Sequence, residues 1–115
     1  MIRKYFFNIK ISNSLKQDIN NVYSRYTHIK KNIFYIKLLE YGIKNINSVP
    51  NIQKYLENNN INKEYTLFIY SNQEIRNKID EIYNNYAFIK KNDFIEVILK
   101  IGLEYMNNIN CNIVI

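Results

Sequence analysis

Two lysines and an asparagine, Lys30-Lys31-Asn32, follow Ile29 and recur after Ile89 as Lys90-Lys91-Asn92, an offset of sixty residues. Two ammonium groups beside an amide can hold an anion. They do so best where a helix begins, because the first-turn N–H groups lack partners and the helix dipole adds positive charge. A single Lys-Lys pair at a turn is ordinarily a solvated charge; its recurrence points to anion binding at two places. No catalytic set competes with this chemistry. His28 is the only histidine and Cys111 the only cysteine, which excludes a cysteine cluster for zinc and an internal disulfide. Gly42 and Gly102 are the only glycines and cannot build a phosphate-binding loop. Neither metal nor cofactor is expected, and the chain does not read as an enzyme.

The repetition extends far beyond the tetrapeptide. Residues 4–47 laid over 64–107 give 13 identities in 44 positions: 5, 9, 19, 23, 26, 29, 30, 31, 32, 34, 39, 42 and 47 in the first copy's numbers. Apolar positions are conservatively exchanged elsewhere: Leu15 with Ile75, Val22 with Ile82, Leu38 with Ile98, Ile43 with Leu103. Two copies are too few for a solenoid, which needs about three repeats to bury a continuous core. Each copy is also near the size of about 40 residues below which a unit rarely folds alone. The expectation is an intramolecular pseudo-two-fold dimer, because two-fold pairing is the commonest way for like units to bury each other. The chain divides into a first repeat (1–47), a linker (48–63) holding Pro50, the only proline, and the run Asn58-Asn59-Asn60, a second repeat (64–108) and a tail (109–115).

Within a repeat the hydrophobic period changes from two to 3.6. Over residues 5–12, Phe7, Ile9 and Ile11 fall on one face and Phe6, Asn8, Lys10 and Ser12 on the other, a half-buried strand. Asn13 or Ser14 then caps a helix carrying Leu15, Ile19, Val22, Tyr23 and Tyr26. Thr27 and His28 break the pattern, and a second helix begins near Lys30 with Ile33, Phe34, Leu38, Leu39 and Ile43 inward. The second copy repeats this order: strand 65–71, a helix with Ile75, Ile79, Ile82, Tyr83 and Tyr86, and a helix with Phe94, Ile95, Ile98, Leu99, Leu103 and Met106. A short helical turn is read at Gln53 to Leu56, and the tail alternates again at Ile113 and Ile115. A lone strand leaves its backbone unpaired, so the two strands are expected to pair antiparallel. The fold class is mainly α with a two-stranded antiparallel ribbon over four helices.

This order resembles the ribbon-helix-helix family of bacterial and phage DNA-binding proteins. Asn8-Ile9-Lys10-Ile11-Ser12 is similar to its ribbon, and Ile89-Lys90-Lys91-Asn92-Asp93-Phe94-Ile95 to the Ile-Ser-Arg-Ser-Glu-Leu-Ile opening of its second helix. Leu99, Gly102 and Leu103 fit that helix's end. Tandem versions in one chain resemble the relaxosome accessory proteins of conjugative plasmids. The departures are a missing glycine between the helices, where Thr27-His28 and Ala87-Phe88 stand, and lysines in place of serines.

The resemblance implies a ribbon in the major groove of double-stranded DNA, with outward side chains reading base edges. These are Phe6, Asn8 and Lys10 from the first copy and Thr66, Phe68 and Tyr70 from the second. Asn8 can pair with adenine, Lys10 can donate to guanine, and Phe6, Thr66 and Phe68 can pack on thymine methyls. Because the strands differ, an asymmetric site is expected. Lys30, Lys31, Asn32, Lys90, Lys91 and Asn92 would contact phosphates, which set register without reading sequence.

Charge is uneven: residues 1–47 carry nine Lys or Arg against Asp18 and Glu40, net +7, whereas residues 63–115 carry six against seven, net −1, within a total of +6. A basic first half suits DNA. The acidic second repeat (Glu74, Asp80, Glu81, Asp93, Glu96), or the tail, could instead face a protein partner. The function expected is sequence-specific DNA binding by a transcriptional repressor or plasmid accessory factor, with further assembly along DNA left open. The alternatives are a protein-interaction module such as an antitoxin, or a structural pseudo-dimer that does not bind DNA. No apolar run approaches the roughly 18 residues of a membrane span, and Arg3, Lys4 and Lys10 interrupt the N-terminal apolar stretch, so a cytoplasmic protein is expected.

Overall fold

The computed structural model describes residues 4–56 and 62–108. The expectations for the tail and for Asn58-Asn59-Asn60 lie outside them. Within them the chain is mainly helical with a two-stranded antiparallel sheet. Its elements in order are β1 (Lys4–Ile11), α1 (Asn13–Tyr23), α2 (Lys31–Asn45), β2 (Tyr65–Asn72), α3 (Gln73–Tyr83) and α4 (Lys91–Asn108), with 3-10 turns at Ile46–Ser48 and Ile52–Tyr55 between α2 and β2. Ile52 is buried, so the start of the linker is packed structure.

The alternating pattern selects which ribbon face is buried. Phe7, Ile9 and Ile11 of β1 and Leu67 and Ile69 of β2 lie in the core. The register runs from Lys4 opposite Asn72 to Ile11 opposite Tyr65. In its middle Asn8 faces Phe68, its own counterpart sixty residues on. An approximate two-fold axis therefore passes between these two residues.

Each strand leads almost directly into a helix, and the cap differs from the expected one. Ser12, expected on the outer face of the strand with Asn13 or Ser14 capping, is itself the cap: it is buried and its hydroxyl accepts from the Leu15 N–H at 3.2 Å. Asn72 does the same for Ile75 at 3.0 Å. A first-turn N–H needs such an acceptor; in the first copy the ribbon ends at Ile11 and leaves Ser12 to supply it, and in the second the last strand residue, Asn72, does so.

The turns between helices contain no glycine, and no described residue has positive φ. They close instead with matched bonds, Tyr26 N–H to the Tyr23 carbonyl and Ile29 N–H to the Tyr26 carbonyl, repeated at Tyr86 and Ile89. The Tyr23 hydroxyl donates to the Ile29 carbonyl at 2.8 Å, and that of Tyr83 to the Ile89 carbonyl at 2.6 Å. Tyrosine thus does the work of closing a turn that bends without left-handed backbone.

At the centre α2 and α4 cross in the most extensive helix–helix contact. Gly42 and Gly102 sit inside these helices at the crossing. A Cβ on Gly42 would collide with the Ile98 carbonyl oxygen, and one on Gly102 with the Leu38 carbonyl oxygen. Leu38 and Ile98 are counterparts, as are the two glycines, so the crossing obeys the same two-fold exchange as the ribbon. α1 packs on α4 and α3 on α2, and the buried Tyr26 hydroxyl donates to the Met106 carbonyl at 2.6 Å. Each copy is completed by the other.

Candidate functional site

With Phe7, Ile9 and Ile11 held inward, the alternate side chains of the ribbon must face out. Asn8 and Lys10 are exposed, Thr66 is half-buried, and Phe68 and Tyr70 are 52% and 54% exposed. Phe6 lies opposite Tyr70 in the register, while its side chain falls outside what the structure describes. Lys10 lies opposite Thr66. The outer face therefore changes along its length, from Lys10 and Thr66, through Asn8 and Phe68 at the two-fold axis, to the Tyr70 end.

The recurring tetrapeptide places one element beside each ribbon edge. Ile29 is buried and its carbonyl is taken by Tyr23; Lys30 is an extended residue before the helix with no side-chain cap; Lys31 begins α2. Asn32 then grips the second strand. Its amide donates to the Tyr70 carbonyl at 3.0 Å, and its Oδ1 accepts from the Tyr70 N–H at 2.9 Å. Asn92 repeats this on the first strand, donating to the Lys10 carbonyl at 3.1 Å and accepting from the Lys10 N–H at 2.9 Å. Each asparagine acts as a short third strand on a free ribbon edge, supplied by the opposite copy. The side chains of Asn32 and Asn92 are therefore turned onto the ribbon backbone. Their backbone N–H groups remain in the first helical turn, where the helix itself offers no acceptor.

The four lysines do not share one environment. Lys30, Lys31 and Lys90 are exposed. Lys31 Nζ lies 5.9 Å from the centre of the Tyr23 ring, whereas Lys91 Nζ binds Asp80 Oδ1 of α3 at 2.5 Å. The first-copy counterpart of Asp80 is Asn20. More acid gathers behind α4. Lys63 Nζ contacts Asp93 Oδ1 and Glu96 Oε1, each at 2.6 Å, and Glu96 Oε1 also accepts from the Asn92 amide at 2.8 Å. Glu96 is 2% exposed. Burial acts against the Lys63 charge, but hydrogen bonds to Asp93 and Glu96, with their negative charge, hold its pKa above the ordinary lysine value. Asp93 and Glu96 correspond to Ile33 and Ile36, so only α4 begins against carboxylates contributed by this set.

The resemblance grouped the outward ribbon residues with both helix openings, and in the structure each opening stands beside one ribbon edge. Sequence patterns did not disclose the Asn32 and Asn92 clamps, the tyrosine-closed turns or the Lys63 cluster. Identity at 23, 29 and 32 was the signal for the first two, since side chains that bond backbone across a fold resist exchange. The cluster left no comparable signal because its members lie in one copy only. His28, expected to be packed or solvated, is exposed, with its ring 6.2 Å from that of Tyr26. No described helix is long and apolar enough to cross a membrane, and the described residues contain no group of three or more His, Cys, Asp or Glu that could hold a metal.

No family model, curated protein or solved structure matches this chain.

Proposed function

We propose that the chain binds double-stranded DNA as a single-chain ribbon-helix-helix pseudo-dimer, acting as a transcriptional repressor or a plasmid accessory factor. The observation that carries this reading is the exposed ribbon face of Asn8, Lys10, Phe68 and Tyr70, flanked on each edge by a helix opening with two lysines. Two strands about 4.8 Å apart fit a major groove about 12 Å wide. Side chains two residues apart on a strand are about 6.8 Å apart, close to two base-pair steps, so the outer face matches the spacing of bases. Asn8 and Lys10 supply hydrogen bonds to base edges; Phe68 and Tyr70 supply apolar surface for thymine methyls. The +7 charge of residues 1–47 favours phosphate contact.

The test is retention on immobilised duplex DNA as salt is raised. Elution at a salt concentration well above that of a charge-matched control, with a linear fall of log affinity against log salt, is the expected result. Salt-independent or absent retention would remove the reading.

A second reading, a protein-interaction module, has one observation in its favour. Between α2 and α3 lies an open groove of about 590 Å³ with Ile43, Ile75 and Ile82 in its lining and Glu40, Glu74, Glu81, Lys44 and Lys78 around them. An apolar floor with a charged rim of both signs suits an amphipathic segment. Failure on DNA together with capture of such a peptide would favour it.

A further inference from the structure

The two copies hold their recurring lysines differently, and the register says which ribbon strand stands beside which pair. α4 opens against the edge of β1, fixed there by Asn92 on the Lys10 backbone. α2 opens against the edge of β2, fixed there by Asn32 on the Tyr70 backbone. A ribbon lying in a groove turns its two edges toward the two phosphate backbones, so the two helix openings face different DNA strands.

Beside β1 the cationic opening is damped. Lys91 is in contact with Asp80 at 2.5 Å, an aspartate that also stands 4.0 Å from Arg76; Asp93, one residue past Asn92, is held by Lys63, so the damping falls on Lys91 while Lys90 stays exposed. Beside β2, Lys30 and Lys31 are exposed, and the residues equivalent to Asp80 and Asp93 are Asn20 and Ile33. The outward side chains are divided the opposite way. β1 carries Asn8 and Lys10, which can hydrogen-bond bases, while β2 carries the aromatic Phe68 and Tyr70.

We propose that the protein holds one DNA strand by charge and reads bases beside the other. Lys30 and Lys31 supply the principal phosphate grip on the β2 side, and Asp80 withholds Lys91 so that the β1 side binds through Asn8 and Lys10. The inference rests on the DNA-binding reading above. Its consequence is a site of fixed polarity. The outward positions span four residues on each strand, about 14 Å or four base-pair steps, with an acceptor-rich base under Lys10 and thymine methyls under Tyr70. Asp80 is then a positioning residue that acts through Lys91, without touching DNA.

The experiment is a salt titration of duplex binding by the full chain and four variants: Lys31→Ala, Lys91→Ala, Asp80→Asn, and Asp80→Asn combined with Lys91→Ala. A lysine that neutralises a phosphate contributes about one unit to the slope of log affinity against log salt. Lys31→Ala is expected to lower the slope by about one unit, so the loss of affinity from about 50 to about 200 mM salt becomes roughly fourfold smaller. Lys91→Ala is expected to lower it by much less. Asp80→Asn should steepen the slope, and in that background Lys91→Ala should lower it as much as Lys31→Ala does in the parent. Equal slope changes for Lys31→Ala and Lys91→Ala in the parent, with no effect of Asp80→Asn, would overturn the unequal grip while leaving DNA binding intact. Absence of salt-dependent binding by the parent chain would overturn both.

Discussion

At the residue scale the asparagines of the repeated tetrapeptide are the least expected result. A charged pair at a helix start is legible in a sequence, but the partners of Asn32 and Asn92 lie 38 and 82 residues away, beyond any local pattern. Their bonds matter because Lys10 and Tyr70 are both clamped and outward-facing: fixing the backbone fixes the direction in which the side chain points. A net contribution of about 1 kcal/mol per hydrogen bond corresponds to roughly fivefold in local opening. Asn92→Ala should therefore speed amide exchange of Lys10 severalfold and leave Tyr70 unchanged, and Asn32→Ala should do the reverse; exchange measured by NMR decides it. The tyrosine hydroxyls make a second, separable contribution. Tyr23→Phe removes the donor to the Ile29 carbonyl and should destabilise the fold by about 1 kcal/mol in denaturant titration, with no change in the helical signal of the folded protein.

At the element scale, order and inward faces follow from the change of hydrophobic period, which is why both strands, all four helices and the 3-10 turn near Gln53 were readable. Element ends were less so, because a cap is decided by backbone geometry. Ser12 continues the alternation of the strand, and only the abrupt entry into α1 makes it a cap. The glycines illustrate the same limit. Their recurrence at 42 and 102 was visible, but their function requires knowing that Gly42 faces the Ile98 carbonyl and Gly102 the Leu38 carbonyl. Alanine at either position gains about 1 kcal/mol of helix propensity and meets backbone that cannot move aside without separating α2 from α4. The collision should win, with a net loss of about 1–3 kcal/mol seen as a lower thermal midpoint for Gly42→Ala and Gly102→Ala alike. The Lys63 cluster ties the start of β2 to α4. Removing one partner of a buried pair costs about 3–5 kcal/mol, and the partial exposure of Lys63 and Asp93 places Lys63→Ala at the lower end. The folded-state pKa of Lys63 is raised, so its contribution is full below the unfolded lysine value of about 10.4 and is lost as pH rises through the higher folded value.

At the scale of the whole molecule the two repeats are interleaved. Each ribbon strand has the other as its partner, the two second helices cross at the approximate two-fold axis, and each first helix packs on the other copy's second. A fragment of residues 1–56 retains half of every one of these contacts and should not exist as a folded monomer. Sedimentation with circular dichroism should find it unfolded at low concentration, or helical only as a dimer. The duplication and the charge imbalance that suggest this architecture were fully present in the sequence. The placement of acid beside one lysine pair was not, because it depends on which faces of α3 and α4 meet.

Base reading by the outer ribbon face is tested by selecting bound duplexes from a random library with the parent chain and with the Asn8→Ala/Lys10→Ala variant. The parent should enrich a short non-palindromic sequence. The variant, folded and still retained on DNA at low salt, should lose that preference, with each replaced base contact accounting for about 1–3 kcal/mol of discrimination. Enrichment of the same sequence by both proteins would contradict the assignment of the ribbon as the reading element.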